Sequence, residues 1–61
     1  MWNLKLLEAI RKQKFSFEEI AWLCDLSETE LYCIVKQEVP VGNGIKEKLA
    51  LAVGTKVEDL F

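Results

Sequence analysis

Two boxes of one kind, "SFEE" from Ser16 and "SETE" from Ser27, stand eleven residues apart, and each sets a serine three places ahead of a glutamate. In such a box the hydroxyl accepts from a backbone N–H of the first helical turn while the glutamate accepts from the N–H of the capping residue, so each box opens a helix. Starts this close leave room for about two turns of helix and a tight connection. Helices are predicted to begin at residues 17 and 28, joined through Asp25, Leu26 and Ser27. An apolar residue precedes each cap, so that Phe15 can pack on Ile20 and Leu26 on Leu31, the staple that fixes the chain's angle of entry. A third box, "TKVE" from Thr55, predicts a last short helix carrying Val57, Leu60 and Phe61.

The remaining segments also read as helix. Asn3 is placed to cap a first helix running to about Gln13, with Leu6, Leu7 and Ile10 at helical spacing. The only proline, Pro40, lies beside "VGNG", the one substantial loop, whose glycines read as turn residues that permit positive φ. In "IKEKLALAV" the residues Ile45, Leu49 and Ala52 or Val53 share a side, and Gly54 is placed to end that helix in the left-handed conformation. The expectation is an all-α fold of five short helices in one domain, residues 1–61, because a chain of this length holds a single core. Apolar residues make up 51% of it and charged ones 30%, the balance of a globular chain and not of a disordered one.

Several function classes recede at this point. Cys24 and Cys33 are too few for a disulfide framework, and with no histidine in the chain a zinc site lacks soft ligands, so no metal or cofactor is expected. The longest apolar run, "LALAV", is far short of the ~20 residues that span a bilayer, and no leader-like segment opens the chain; a cytoplasmic protein without membrane partners is expected. No acid–base pair, activated nucleophile or phosphate-cradling loop stands out, and "VGNG" lacks the spacing and the lysine of a nucleotide site, so an enzyme is not expected.

Charge is unevenly distributed. Residues 1–14 carry net +3 (Lys5, Arg11, Lys12 and Lys14 against Glu8), whereas residues 15–38 carry net −5 (Glu18, Glu19, Asp25, Glu28, Glu30 and Glu38 against Lys36). The overall charge of −2 argues against a generic polyanion binder, since non-specific affinity for DNA comes mainly from lysine and arginine.

Two short helices joined by a tight turn form the arrangement in which one helix crosses the DNA backbone and the next enters the major groove. "FSFEEIAWLCDLSETELYCIVKQE" followed by "IKEKLALAVGTKVEDLF" resembles the lambda-repressor-like, Cro/C1-type helix-turn-helix family of phage and bacterial transcriptional regulators. The likeness runs from Phe15 to Phe61 through Ala21, Ser27, Leu31, Ile34 and the closing "LAVGTKVEDLF", and Ile10-Arg11 stands where the family usually has Leu-Arg. It implies a lambda-repressor-like domain that binds operator DNA through its third helix. The family's DNA contacts come from the first residue of the second helix, the outward face of the third and the loop beyond it. Carried onto this chain, these positions are Phe17; Glu28, Thr29, Tyr32, Cys33 and Lys36; and Asn43, with basic support from Arg11, Lys12, Lys14 and Lys46. Thr29 can touch a thymine methyl or a phosphate, Tyr32 a phosphate, Lys36 a phosphate or guanine, and Glu28 a cytosine amine. The first position is commonly glutamine in the family; Phe17 can bind neither phosphate nor base edge.

The acidic third helix and Phe17 keep a second class open. Phe17, Trp22, Tyr32, Val39 and Val41 are large apolar residues at positions expected to face outward, and an apolar patch of several hundred Å2 would be a protein-binding site. On that reading the chain is a degenerate helix-turn-helix protein, such as an antirepressor or modulator that covers a repressor or another basic protein, with little DNA binding of its own. A homodimer, formed through the last helix and "DLF" or to match two DNA half-sites, is compatible with the regulator reading.

Overall fold

Ser16 and Ser27 form complete capping boxes in the computed structural model, which describes residues 1–61. The Glu19 and Glu30 N–H groups donate to the two serine hydroxyls at 3.2 and 3.1 Å, and both carboxylates accept from the serine N–H at 3.0 Å. These caps open α2 (Phe17–Leu23) and α3 (Glu28–Val35), flanked by α1 (Leu4–Arg11), α4 (Asn43–Val53) and α5 (Val57–Leu60). The fold is all-α with five helices, as the cap spacing predicts. α2 packs on α3 and α4, while α1 packs on α2, α3 and α5. No helix is long and apolar enough to cross a membrane.

The core holds twelve buried residues contributed by all five helices and by Cys24, the C-cap of α2, and no polar or charged side chain is among them. Leu6 and Ile10 come from α1, Ile20 and Ala21 from α2, Leu31, Ile34 and Val35 from α3, Leu49, Ala50 and Val53 from α4, and Leu60 from α5. Each large aliphatic side chain fully buried here contributes about 1.5–3 kcal/mol of transfer free energy. Leu26 packs against this core, whereas Phe15 remains half exposed.

Three expectations are corrected. α1 ends at Arg11, short of the expected Gln13, where the backbone tightens and the Gln13 N–H donates to the Ile10 carbonyl; the Gln13 amide donates to the carbonyls of Ala9 and Val53 at 3.2 and 3.0 Å and ties the end of α1 to the end of α4. Thr55 does not cap α5; its N–H donates to the Ala50 carbonyl at 2.9 Å to close α4, and the cap position passes to Lys56, which makes no side-chain cap bond. "VGNG" is not a free loop with left-handed glycines. Gly42 is the extended N-cap of α4 (φ −71), Asn43 and Gly44 lie in its first turn, and the Lys46 N–H already donates to the Gly42 carbonyl.

Left-handed residues are found instead at the ends of α2, α3 and α4, at Asp25 (φ 58), Gln37 (φ 61) and Gly54 (φ 68). Each end closes with the same paired bonds, a Schellman ending. The bonds are Asp25 and Leu26 to the carbonyls of Trp22 and Ala21, Gln37 and Glu38 to those of Ile34 and Cys33, and Gly54 and Thr55 to those of Leu51 and Ala50. Gly54 alone avoids the Cβ penalty of that conformation. Because Gly44 has helical geometry and open space around its Cα, Gly44→Ala is expected to raise stability by up to about 1 kcal/mol. Gly54→Ala, at positive φ, is expected to lower it by about 1–2 kcal/mol. Urea unfolding of the two variants checks both signs.

Candidate functional site

The apolar side of α3 is locked into the core through Leu31, Ile34 and Val35, which leaves the opposite side to solvent. Glu28, Thr29 and Tyr32 are exposed there, with Cys33 and Lys36 half-buried at its edges. All five expected outward residues of the third helix therefore share one face. α2 and α3 are separated by Cys24, Asp25, Leu26 and Ser27, and within that turn Asp25 pairs with Lys48 of α4 at 3.2 Å, the one ion pair of the molecule.

The acidity of this region has a structural component. The Ser16 N–H, and after it the Ser16 hydroxyl, hold the Glu19 carboxyl below its ordinary range, and Ser27 does the same for Glu30. Both carboxylates lie over the positive end of a helix dipole. Burial pushes the Cys24 thiol up, with Lys48 pulling the other way, so this cysteine is a core residue; neither cysteine is in a disulfide.

The aromatic residues assemble in a way that charge and spacing did not foretell. The Phe17 and Tyr32 rings stack with centroids 4.1 Å apart and planes inclined by 25°, joining the head of α2 to the middle of α3. They form one wall of a cleft of about 350 Å3 completed by Trp2, Leu7, Ile10, Phe15 and Arg11. Lys36 reaches over this cleft's edge, its Nζ 5.7 Å from the centre of the Trp2 ring. Trp2 and Phe15 were not among the expected site residues. A signal for Trp2 was present, since it precedes the cap Asn3 and so occupies the staple position opposite Leu7.

The other candidates are dispersed. Lys12 borders a separate hollow between α1 and the chain's last turns, with Lys5, Thr55 and Asp59, and Lys14 is exposed in the turn after α1. Asn43 is exposed at the start of α4, while Lys46 is half-buried with its Nζ 5.2 Å from the Phe61 ring. Val39 and Val41 share a hollow with Lys46 and Phe61, and Val39 also lines another, with Thr29 and Cys33, at the opposite edge of the outward face of α3 from Tyr32. Trp22 is 76% exposed and borders none of these hollows, so the five apolar residues proposed as one patch are not one surface.

Comparison with family models, with curated proteins and with solved structures finds no match to this chain.

Glu19 and Glu30 have folded-state values below the ordinary 4.5, so each stabilises the fold above that pH and loses its contribution as pH falls through the lower folded value. Thermal melts below pH 4.5 are expected to decline less steeply in Glu30→Gln than in the parent. At neutral pH, Ser27→Ala is expected to cost about 1 kcal/mol through loss of the cap.

Proposed function

We propose that this chain is a small helix-turn-helix regulator of transcription that reads duplex DNA with the outward face of α3. The observation that carries the reading is the α2–α3 unit itself. Two box-capped helices, four residues apart, turn on a left-handed Asp25 and hold α3 with its apolar side fixed and Glu28, Thr29, Tyr32 and Lys36 outward. The likeness of residues 15–61 to the lambda-repressor-like family supports it. In this reading Lys36 and Arg11 meet phosphates, Thr29 and Glu28 meet base edges, and Tyr32 donates to the backbone. Glu19 and Glu30 stay charged, held ionised at the helix starts, so in this reading the cations Arg11 and Lys36 have to outweigh them. A regulator of this kind works in the cytoplasm and needs no cofactor.

A second reading, docking of a protein partner, is favoured by the stacked Phe17–Tyr32 pair, which puts aromatic surface where the family usually offers a glutamine amide.

Binding to a mixed pool of short duplexes is expected at about 50 mM salt and to weaken steeply by about 200 mM. Lys36→Ala is expected to weaken binding to all sequences and to flatten the salt slope by about one unit. Bound duplex is expected to slow alkylation of the half-buried Cys33, whereas Cys24, buried in the core, reacts only on unfolding. No duplex binding at the lower salt, or Cys33 labelling indifferent to saturating DNA, sinks the DNA reading.

A further inference from the structure

We propose that the aromatic cleft between α1, α2 and α3 is a docking site for an acidic peptide segment of a partner protein, one that inserts a single large apolar side chain flanked by carboxylates. The inference rests on the second reading above but reverses the partner chemistry expected from the sequence, from basic to acidic, because the cations and not the acids border the cleft.

Size sets the first limit. A cleft of about 350 Å3 suits one aromatic or two aliphatic side chains, at the small end of ligand sites, and a whole helix or duplex cannot enter it. Its lining is apolar apart from Arg11, the Tyr32 hydroxyl and the Trp2 indole N–H, and Phe17 and Tyr32 hold each other in place. A wall already ordered before binding lowers the entropy cost of capture.

Charge sets the second limit. Arg11 lines the cleft and Lys36 stands over its Trp2 edge, and neither has a carboxylate partner, since the one ion pair joins Lys48 to Asp25 elsewhere. Glu18 and Glu28 sit on neighbouring turns but do not line the cleft. An arginine at an apolar site offers two parallel N–H donors to a carboxylate, and Lys36 can exchange its weak hold on the Trp2 ring for an ion pair.

A nucleobase fits less well. Its edge carries donors as well as acceptors, whereas the lining offers donors from Arg11 and the Trp2 indole and a single side-chain acceptor, the Tyr32 hydroxyl, so part of the edge would be buried unpaired at a cost. An apolar side chain leaves nothing unpaired, and its flanking carboxylates meet the two cations at the rim. Arg11, Tyr32 and Lys36 are also the residues assigned to the DNA backbone above, so on the regulator reading such a peptide and a duplex exclude one another, and an acidic partner would release the DNA.

The test uses the whole 61-residue chain without DNA. Acetylated peptide DEFLED, its basic counterpart KKFLKK and the anchorless DEASED are titrated in turn and followed by amide NMR shifts. DEFLED is expected to shift the signals of Trp2, Arg11, Phe17, Tyr32 and Lys36. KKFLKK and DEASED are expected to bind at least tenfold more weakly. The double variant Arg11→Glu, Lys36→Glu, its fold checked by circular dichroism, is expected to reverse the preference between the two charged peptides. Shifts outside the cleft, or no binding by any of the three, overturn the docking site together with the second reading. Preference of the parent protein for KKFLKK overturns the acidic chemistry and leaves a protein-docking cleft. Binding of an oligothymidine at the same residues in preference to DEFLED, or concentration-dependent shifts of the same residues in the free protein, would assign the cleft to single-stranded nucleic acid or to a second copy and overturn the proposal.

Discussion

Asn3 joins three helices at one end of the bundle. Its side-chain oxygen accepts from the Leu6 N–H to cap α1, its amide nitrogen donates to the Leu60 carbonyl in α5 at 2.8 Å, and its backbone N–H donates to the Val35 carbonyl in α3 at 2.7 Å. The start of α1 is thereby fixed against the ends of the helix that faces outward and the helix that closes the chain. Gln13 repeats the device at the other end of α1, through the Val53 carbonyl. The cleft depends on both, since its walls are borrowed from the start of α1, the turn after it, the head of α2 and the middle of α3. A small rotation of α1 would separate Trp2 from Lys36 and Arg11 from Tyr32.

The two readings of function share this surface and differ in what they ask of it. A duplex asks for cations and hydrogen-bonding groups spread over a broad face, and α3 offers few of either beyond Thr29, Glu28 and Lys36. A peptide asks for one apolar socket with charge at its lip, which the Phe17–Tyr32 pair and its cationic neighbours provide. Of the acids that dominate the middle of the sequence only Asp25 is offset, by Lys48, while Glu19 and Glu30 serve the helix starts and keep their charge.

The fold was largely legible in the sequence because its signals are local. The two serine boxes, the Gly54 stop and the helical spacing of apolar residues act within a turn or two of chain, and the structure follows them at α2, α3 and the end of α4. Errors arose where one local signal competed with another. Thr55 could cap α5 or close α4, and the carbonyl of Ala50 claimed it. The glycines of "VGNG" signalled a turn, yet the left-handed positions went to Asp25 and Gln37, where the paired bonds of a Schellman ending, and for Gln37 a bond from its amide to the Met1 carbonyl, offset the strain. The site was less legible, for a different reason. The outward face of α3 follows from periodicity, but the cleft joins Trp2 to Tyr32 across thirty positions, and only tertiary packing brings such residues together. The same packing leaves Trp22 exposed on α2, while Phe17, directly after the Ser16 cap, is drawn against Tyr32.

The interior contains no polar side chain, and the bonds that fix the helices lie at their tips. Cohesion is thus supplied by shape and oiliness alone, while orientation is dictated by a few amides that face neither DNA nor a partner. The outward residues, Phe17 and the acids of α3 among them, can therefore be replaced without disturbing what keeps the molecule standing.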